Sequence, residues 1–228
     1  MNSLPQLKSI HTIPIAIVLG GIIVAFAIYI SLPKSPAIDT GTPSLVRHID
    51  STDHIFGNPA AKVIIIEYSD FDCEYCKTFN EVMHQIIANE GAKGQVAWVF
   101  RHFPLIEIHP NALSHARAAE CAAKVAGNDA FWKFETALFE RQPVDTSLYG
   151  TIAKAAGVPS DNAFATCYAD AVSTVEARIL RDRQNALDIG ATGTPYSLIL
   201  VAGKPPVVLN GFYSYAQMKE LVDQTLAQ

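Results

Sequence analysis

The sequence predicts an α/β domain: a strand–helix–strand unit, an all-helical insert, then a strand–strand–helix unit, with one transmembrane helix ahead of them. Three observations carry this. Residues 13–32 are apolar and uncharged. A β-branched run, Ala61–Tyr68, passes directly into helical periodicity. From about Pro110 to Asp188 the composition turns Ala-rich and helical, and strand-like runs resume after it. The 228 residues are 50% apolar and 17% charged, which excludes a disordered chain and allows one domain or a small pair. The net charge of −5 offers no basic stripe, so no nucleic-acid partner is expected.

Residues 1–12 read as a cytoplasmic tail and 13–32 as an anchor. Twenty residues of helix span about 30 Å, the thickness of a bilayer core. Lys8 precedes the stretch and Lys34 follows it, so charge gives only a lean on orientation. A cleaved signal is the rival reading, because Ser35-Pro36-Ala37 resembles a cleavage site, but the apolar stretch exceeds the usual length of about 7–15 residues. Both readings export the remainder. Residues 33–52, with three prolines before His48, read as an extended linker. Residues 53–228 form the domain, with the helical insert at about 108–189.

Ala61–Tyr68 reads as a strand buried on both faces. The helix that follows places Phe79, Val82, Met83, Ile86 and Ile87 on one face. Gln95–His102 is the second strand of a βαβ unit. Breaks near Gly127-Asn128, Gln142-Pro143 and Gly157-Val158-Pro159 divide the insert into four or five helices. Tyr196–Val201 and Pro206–Asn210 are strands about a Gly203-Lys204-Pro205 turn, and Tyr213–Leu226 closes the chain as a helix. A thioredoxin fold with a helical insert has this order.

Cys73-Glu74-Tyr75-Cys76 stands where the first strand ends and a helix begins. Unpaired N–H groups and the positive dipole end at a helix start stabilise a thiolate, the nucleophile of disulfide exchange. Cys73 is expected to be the exposed attacker and Cys76 the buried resolving thiol. Zinc would need two further ligands. No second C-x-x-C exists, and His102, His109 and His115 are spaced too widely, so no metal is expected. Glu67 is the one charge in its strand, six residues before Cys73. It reads either as an edge glutamate facing water or as a buried acid of raised pKa that relays the Cys76 proton. Thr194-Pro195 opens a strand and, on sequence alone, is an ordinary loop proline.

The segments DHIFGNPAAKVIIIEYSDFDCEYC, FRHFPL, HPNALSHARAAECA, FWKFETALFE and GATGTPYSLIL resemble DsbA-like thiol–disulfide oxidoreductases, over residues 53–226. The resemblance is to the exported, often membrane-anchored bacterial branch of that thioredoxin-like family. It implies a cis Pro195 against the dithiol, a Thr194 backbone that binds a client strand, and Glu67 as the family's acid. Glu74 and Tyr75 are expected to face the client. The strongest oxidases of the family carry Pro-His between the cysteines. Glu74 opposes a thiolate, so a higher Cys73 pKa and a less oxidising couple are expected than in those members. Thr194 also occurs in the isomerase-like branch, which leaves the direction of electron flow open.

Cys121 and Cys167 fall within the insert. They are either two buried thiols or, in an exported protein, a structural disulfide. Closing a loop of about 45 residues is worth about 4 kcal/mol in the chain-entropy model. Phe131, Trp132, Phe134 and Phe139 read as core, and His102 and His109 as locally satisfied residues without a catalytic role.

The expected function is a protein dithiol oxidase of the bacterial inner membrane, single-pass, with its catalytic domain on the periplasmic or extracellular side. It needs no cofactor. Its expected partners are reduced exported proteins, unfolded or folding, and a membrane quinone-linked thiol oxidase as reoxidant. The alternatives are an isomerase or reductase of the same fold, or a metal-binding or chaperone module without turnover.

Overall fold

The computed structural model describes residue 22 and residues 45–227. The expected tail and anchor at 1–32 fall outside the described residues, apart from residue 22. No helix among the described residues is long and apolar enough to cross a membrane. The chain divides into a unit of residues 1–37 and a unit of residues 38–228. The second unit holds the sheet and all four cysteines.

Five strands form one mixed sheet: β1 (His54–Gly57), β2 (Val63–Ser69), β3 (Val96–His102), β4 (Tyr196–Val201) and β5 (Val207–Asn210), in the order β1-β3-β2-β4-β5. β2 and β3 are parallel and the other pairings antiparallel. The parallel pair is joined by α1 (Glu74–Asn89). Helices α2 (Ala112–Ala126), α3 (Asn128–Arg141), α4 (Tyr149–Ala155), α5 (Asp161–Ala169), α6 (Ala171–Thr174) and α7 (Glu176–Asp188) form the insert, and α8 (Tyr215–Leu226) closes the domain. The insert thus holds six described helices rather than four or five. The extra break falls at Asp170–Val175, where Thr174 and Ser173 hydroxyls turn back to the Asp170 carbonyl; no glycine or proline marks it.

Side chains alternate across each strand. Val63, Ile65, Val96, Trp98 and Phe100 face a core shared with α1 and the insert, together with the aromatic group Phe131, Trp132, Phe134 and Phe139. Ile66, Tyr68, Val99, Tyr196 and Leu198 face a second core closed by Ala186 and Ile189 of the α7 end. The expected α1 face, Phe79, Val82, Met83, Ile86 and Ile87, is buried. Cys121 and Cys167 form a disulfide that ties α2 to α5.

The N-terminal boundary of the domain needs correction. Residues 45–52, read as linker, belong to the domain, and β1 follows them as an edge strand on β3. The cause is Arg101, whose side chain is fully buried. A buried guanidinium needs acceptors on every side. Arg101 finds Asp53 through Nε and Nη2 at 3.0 and 3.1 Å, the Tyr68 hydroxyl at 2.9 Å, and the Arg47 carbonyl at 3.0 Å. Asn185 adds a bond to the Leu45 carbonyl at 2.7 Å and accepts from the Arg47 N–H at 3.0 Å.

Candidate active site

The β2–α1 junction sets the dithiol. Ser69 ends β2, and the Cys73 N–H donates to the Asp70 carbonyl at 3.1 Å, closing a turn. Cys73 is the N-cap of α1 and accepts from the Lys77 N–H at 3.1 Å. Cys76, within the first turn, points into the core and is fully buried. Cys73 is only 7% exposed, so it is the more accessible thiol but not an open one. The cover is the loop before β4: the Cys73 thiol donates to the Thr194 carbonyl at 3.4 Å, and the Thr194–Pro195 bond is cis. Loop and dithiol meet because β2 and β4 are neighbours, with Tyr68 paired to Tyr196. Glu74 and Tyr75 are exposed, Tyr75 at 67%.

The two thiols are strongly unequal. The hydrogen bond from Cys76 is the largest influence lowering the Cys73 pKa, to about 6; burial opposes it, and Thr194 and the backbone N–H groups of Cys76 and Tyr75 assist. Burial, with the neighbouring Cys73, holds Cys76 well above the usual thiol range. The pair is therefore one reactive thiolate beside one thiol that keeps its proton.

Glu67 lies on the inner face of β2 and is fully buried. Neither carboxyl oxygen has a hydrogen-bond partner among the described residues. Burial pushes its pKa up to about 8; Ser69 and Trp98 pull the other way, and the charges of Glu135 and Cys73 add to the rise. Cys76 feels the Glu67 charge in turn. The edge-glutamate reading is thereby excluded.

Several residues near the dithiol carry no local sequence signal of their place there. His109, read as locally satisfied, pairs with the buried Asp70 at 2.9 Å, and Asp70 also accepts from the Leu105 N–H at 2.7 Å. Against the effect of burial, Asp70 raises the His109 pKa, with a further contribution from Cys73. His115 is buried between Asp72 at 2.9 Å and the Tyr149 hydroxyl at 2.6 Å. Glu135 is buried on α3 and bonded by Asn80 of α1. Its one available signal was a charge among the aromatic residues of FWKFETALFE.

His54, His102 and Glu120 have metal-ligand side chains within 4.8 Å of one another. Both histidine Nε2 atoms approach Glu120 Oε1, at 2.8 and 2.7 Å. The cationic corner is taken by Arg178, whose Nη1 lies 2.6 Å from His54 and 3.0 Å from Glu120. The group is charge-balanced from within and fits a structural network better than an ion.

A cis-proline loop over an unequal dithiol at a helix start, with a buried acid of raised pKa beneath it, is an arrangement suited to thiol–disulfide exchange on a thioredoxin-like fold. A family model described as thioredoxin matches residues 50–223, and the chain belongs to that family. The fold is similar to Wolbachia pipientis alpha-DsbA1 (TM-score 0.70, 22% identity, covering 82% of this chain and 96% of that one). It is also similar to oxidised BdbD from Bacillus subtilis (0.66, 25%, 84% and 99%). A third similar structure is the thiol-disulfide exchange protein alpha-DsbA2 from Wolbachia pipientis (0.65, 23%, 77% and 88%). Sequence relatives include a protein described as Na(+)/H(+) antiporter NhaA 1 from Mycolicibacterium gilvum, 34% identical over 129 residues. Another is Na(+)/H(+) antiporter NhaA from Herminiimonas arsenicoxydans, 32% identical over 143 residues. The chain matches about a fifth of the length of these relatives, 19% and 21%, and covers 56% and 63% of itself in doing so.

Proposed function

We propose that the protein is an extracytoplasmic dithiol oxidase, tethered to the bacterial inner membrane by residues 13–32, that introduces disulfides into exported proteins. The observation that carries this is the inequality of the two thiols, with Cys73 lowered to about 6. A couple whose reduced form is stabilised as a thiolate gives up its disulfide readily. A client thiolate attacks Cys73 Sγ, the Cys73–Cys76 bond breaks, and Cys76 leaves and takes the proton held by Glu67. A second client thiolate attacks the client sulfur of the mixed disulfide. Cys73 leaves as a thiolate, the client gains its disulfide, and the two electrons remain on the enzyme dithiol. A membrane quinone-linked thiol oxidase withdraws them.

Export is supported by the Cys121–Cys167 disulfide, a bond that persists in oxidising compartments. The client would pair with the Thr194 backbone and lie across the exposed Tyr75. The test is turnover of a reduced, unfolded two-cysteine client by the full chain in detergent with glutathione disulfide as oxidant. Client disulfides should accumulate only with both Cys73 and Cys76 present. Faster scrambling of an already oxidised client than oxidation of a reduced one would instead favour an isomerase.

A further inference from the structure

Cys76, Asn80 and His84 are spaced four residues apart on α1 and so share one stripe of the helix. The stripe begins at the resolving thiol. Its middle residue, Asn80, is buried and donates its amide to Glu135 Oε1. Its far end, His84, has a side chain 30% exposed and lies 3.6 Å from Glu135 Oε2. The Thr136 hydroxyl donates to the same oxygen at 3.0 Å and lies 3.2 Å from His84 Nε2. His84 and Thr136 also line an open pocket of about 690 Å³ between β1, α1 and α3. The core between the sheet and α1 therefore holds two buried carboxyls, Glu67 on β2 below the dithiol and Glu135 on α3 beside the partly exposed His84.

Their surroundings differ in kind. Among the described residues neither Glu67 oxygen has a partner within hydrogen-bond geometry, although Ser69 and Trp98 bear on it, whereas Glu135 has donors on both oxygens. Donors to a carboxylate favour its charged form, and a bare buried carboxyl keeps its proton. The groups that bear on Glu67 are Cys73 and Cys76 from α1, Ser69 from β2, Trp98 from β3 and Glu135 from α3, with Ser197 opposite it on β4. Those that bear on Glu135 are Asn80 and His84 from α1 and its own neighbour Thr136. Burial leaves the Glu135 pKa raised on balance, with His84, Thr136 and Asn80 working against the rise. With donors on both Glu135 oxygens and none on those of Glu67 among the described residues, the surroundings favour charge on Glu135 and a proton on Glu67, the arrangement in which environment assigns two carboxyls opposite proton states.

The geometry points to Glu135 as a positioning residue for disulfide exchange: its carboxylate, held by Asn80, His84 and Thr136, keeps the proton on Glu67 until Cys76 leaves and takes it. This rests on the relay role proposed above for Glu67. When the Cys73–Cys76 bond breaks, the Cys76 thiolate accepts that proton, and Glu67 becomes a second carboxylate near Glu135. Repulsion between the two then favours reprotonation of Glu67, which readies the site for the next cycle.

The experiment is a carboxyl-carbon NMR titration of the full chain, reduced and labelled at glutamate, with the reduction potential followed against pH on the same samples. In the wild-type protein, Glu67 should titrate near 8, and Glu135 should already be ionised below that midpoint. Glu135→Gln should lower the Glu67 midpoint by about one pH unit, and the break in the potential–pH curve should move with it. An unmoved Glu67 midpoint would overturn the inference. Should Glu135→Gln fail to fold, the wild-type titration decides: a Glu135 still protonated at the Glu67 midpoint overturns it. Glu67→Gln separates the two layers. If it leaves the potential–pH curve unchanged, the relay role itself fails. If it abolishes the break while Glu135→Gln does not shift it, only the role of Glu135 fails.

Discussion

Cys73 and Thr194 meet across 121 residues of sequence, the thiol donating to the Thr194 carbonyl at 3.4 Å. The contact brings the nucleophile and the backbone proposed for client pairing to one point. A client sulfur bound at that loop would already face Cys73, which removes much of the orientational cost of exchange.

Thr194→Val keeps the shape of the loop and removes the hydroxyl. Thr194 is one of the groups that lower the Cys73 pKa, after Cys76. The variant should raise that pKa from about 6 by up to about one unit, read from thiolate absorbance against pH. An unchanged midpoint would leave Cys76 and the helix N–H groups as the whole cause.

The cysteines should separate by trapping. Cys76→Ala leaves Cys73 able to form a mixed disulfide that nothing resolves, so client adducts should accumulate on non-reducing gels and in intact mass. Cys73→Ala should give none, because Cys76 is fully buried. Adducts on the Cys73 variant would reverse the assigned roles.

Glu67 has a folded-state pKa near 8 against an ordinary 4.5. Between those values the folded, reduced protein binds a proton that the unfolded chain has released. Stability should therefore fall as pH rises from about 5 to about 8. A shift of this size corresponds to roughly 3–5 kcal/mol. Glu67→Gln should flatten that part of the curve, measured by urea unfolding at a series of pH values, and should slow the first exchange step. Equal slopes in both proteins would mean that Glu67 does not titrate in this window.

Much of the domain was legible because periodicity and punctuation agree in it. Val63–Ser69, Val96–His102 and Tyr196–Val201 read as strands because short, largely apolar runs, β-branched in the first, signal burial on both faces. Cys73 and Cys76 were legible because two cysteines at that spacing after a strand have few other uses. His54–Gly57 was not, since four residues ending in glycine carry too short an alternation to register. Residues 45–52 were missed because their place depends on Arg101, an ordinary strand arginine until its burial is known. Glu135 and His109 belong to the site only through contacts that span 55 and 39 residues, to Asn80 and Asp70, and local pattern is blind to these.

Glu120 joins β1, β3 and the insert through His54, His102 and Arg178. Burial opposes its ionisation, yet those partners hold its pKa well below the usual carboxylate range. Its contribution should be complete above the unfolded value of 4.5 and lost as pH falls through the depressed folded value. Glu120→Gln takes the nearer carboxylate from Arg178, leaving it Asp182 at 3.9 Å, and should cost about 3 kcal/mol, with the loss narrowing in acid. Chemical unfolding at neutral and acid pH checks both parts.

Whether the Cys73–Cys76 couple donates disulfides is decided most simply by its reduction potential. The full chain in detergent would be equilibrated in glutathione buffers and the thiols quantified. A disulfide donor of the kind proposed should show a value clearly above about −180 mV, on the oxidising side. A value near about −270 mV would contradict that role and indicate a reductase fed by an electron source across the membrane.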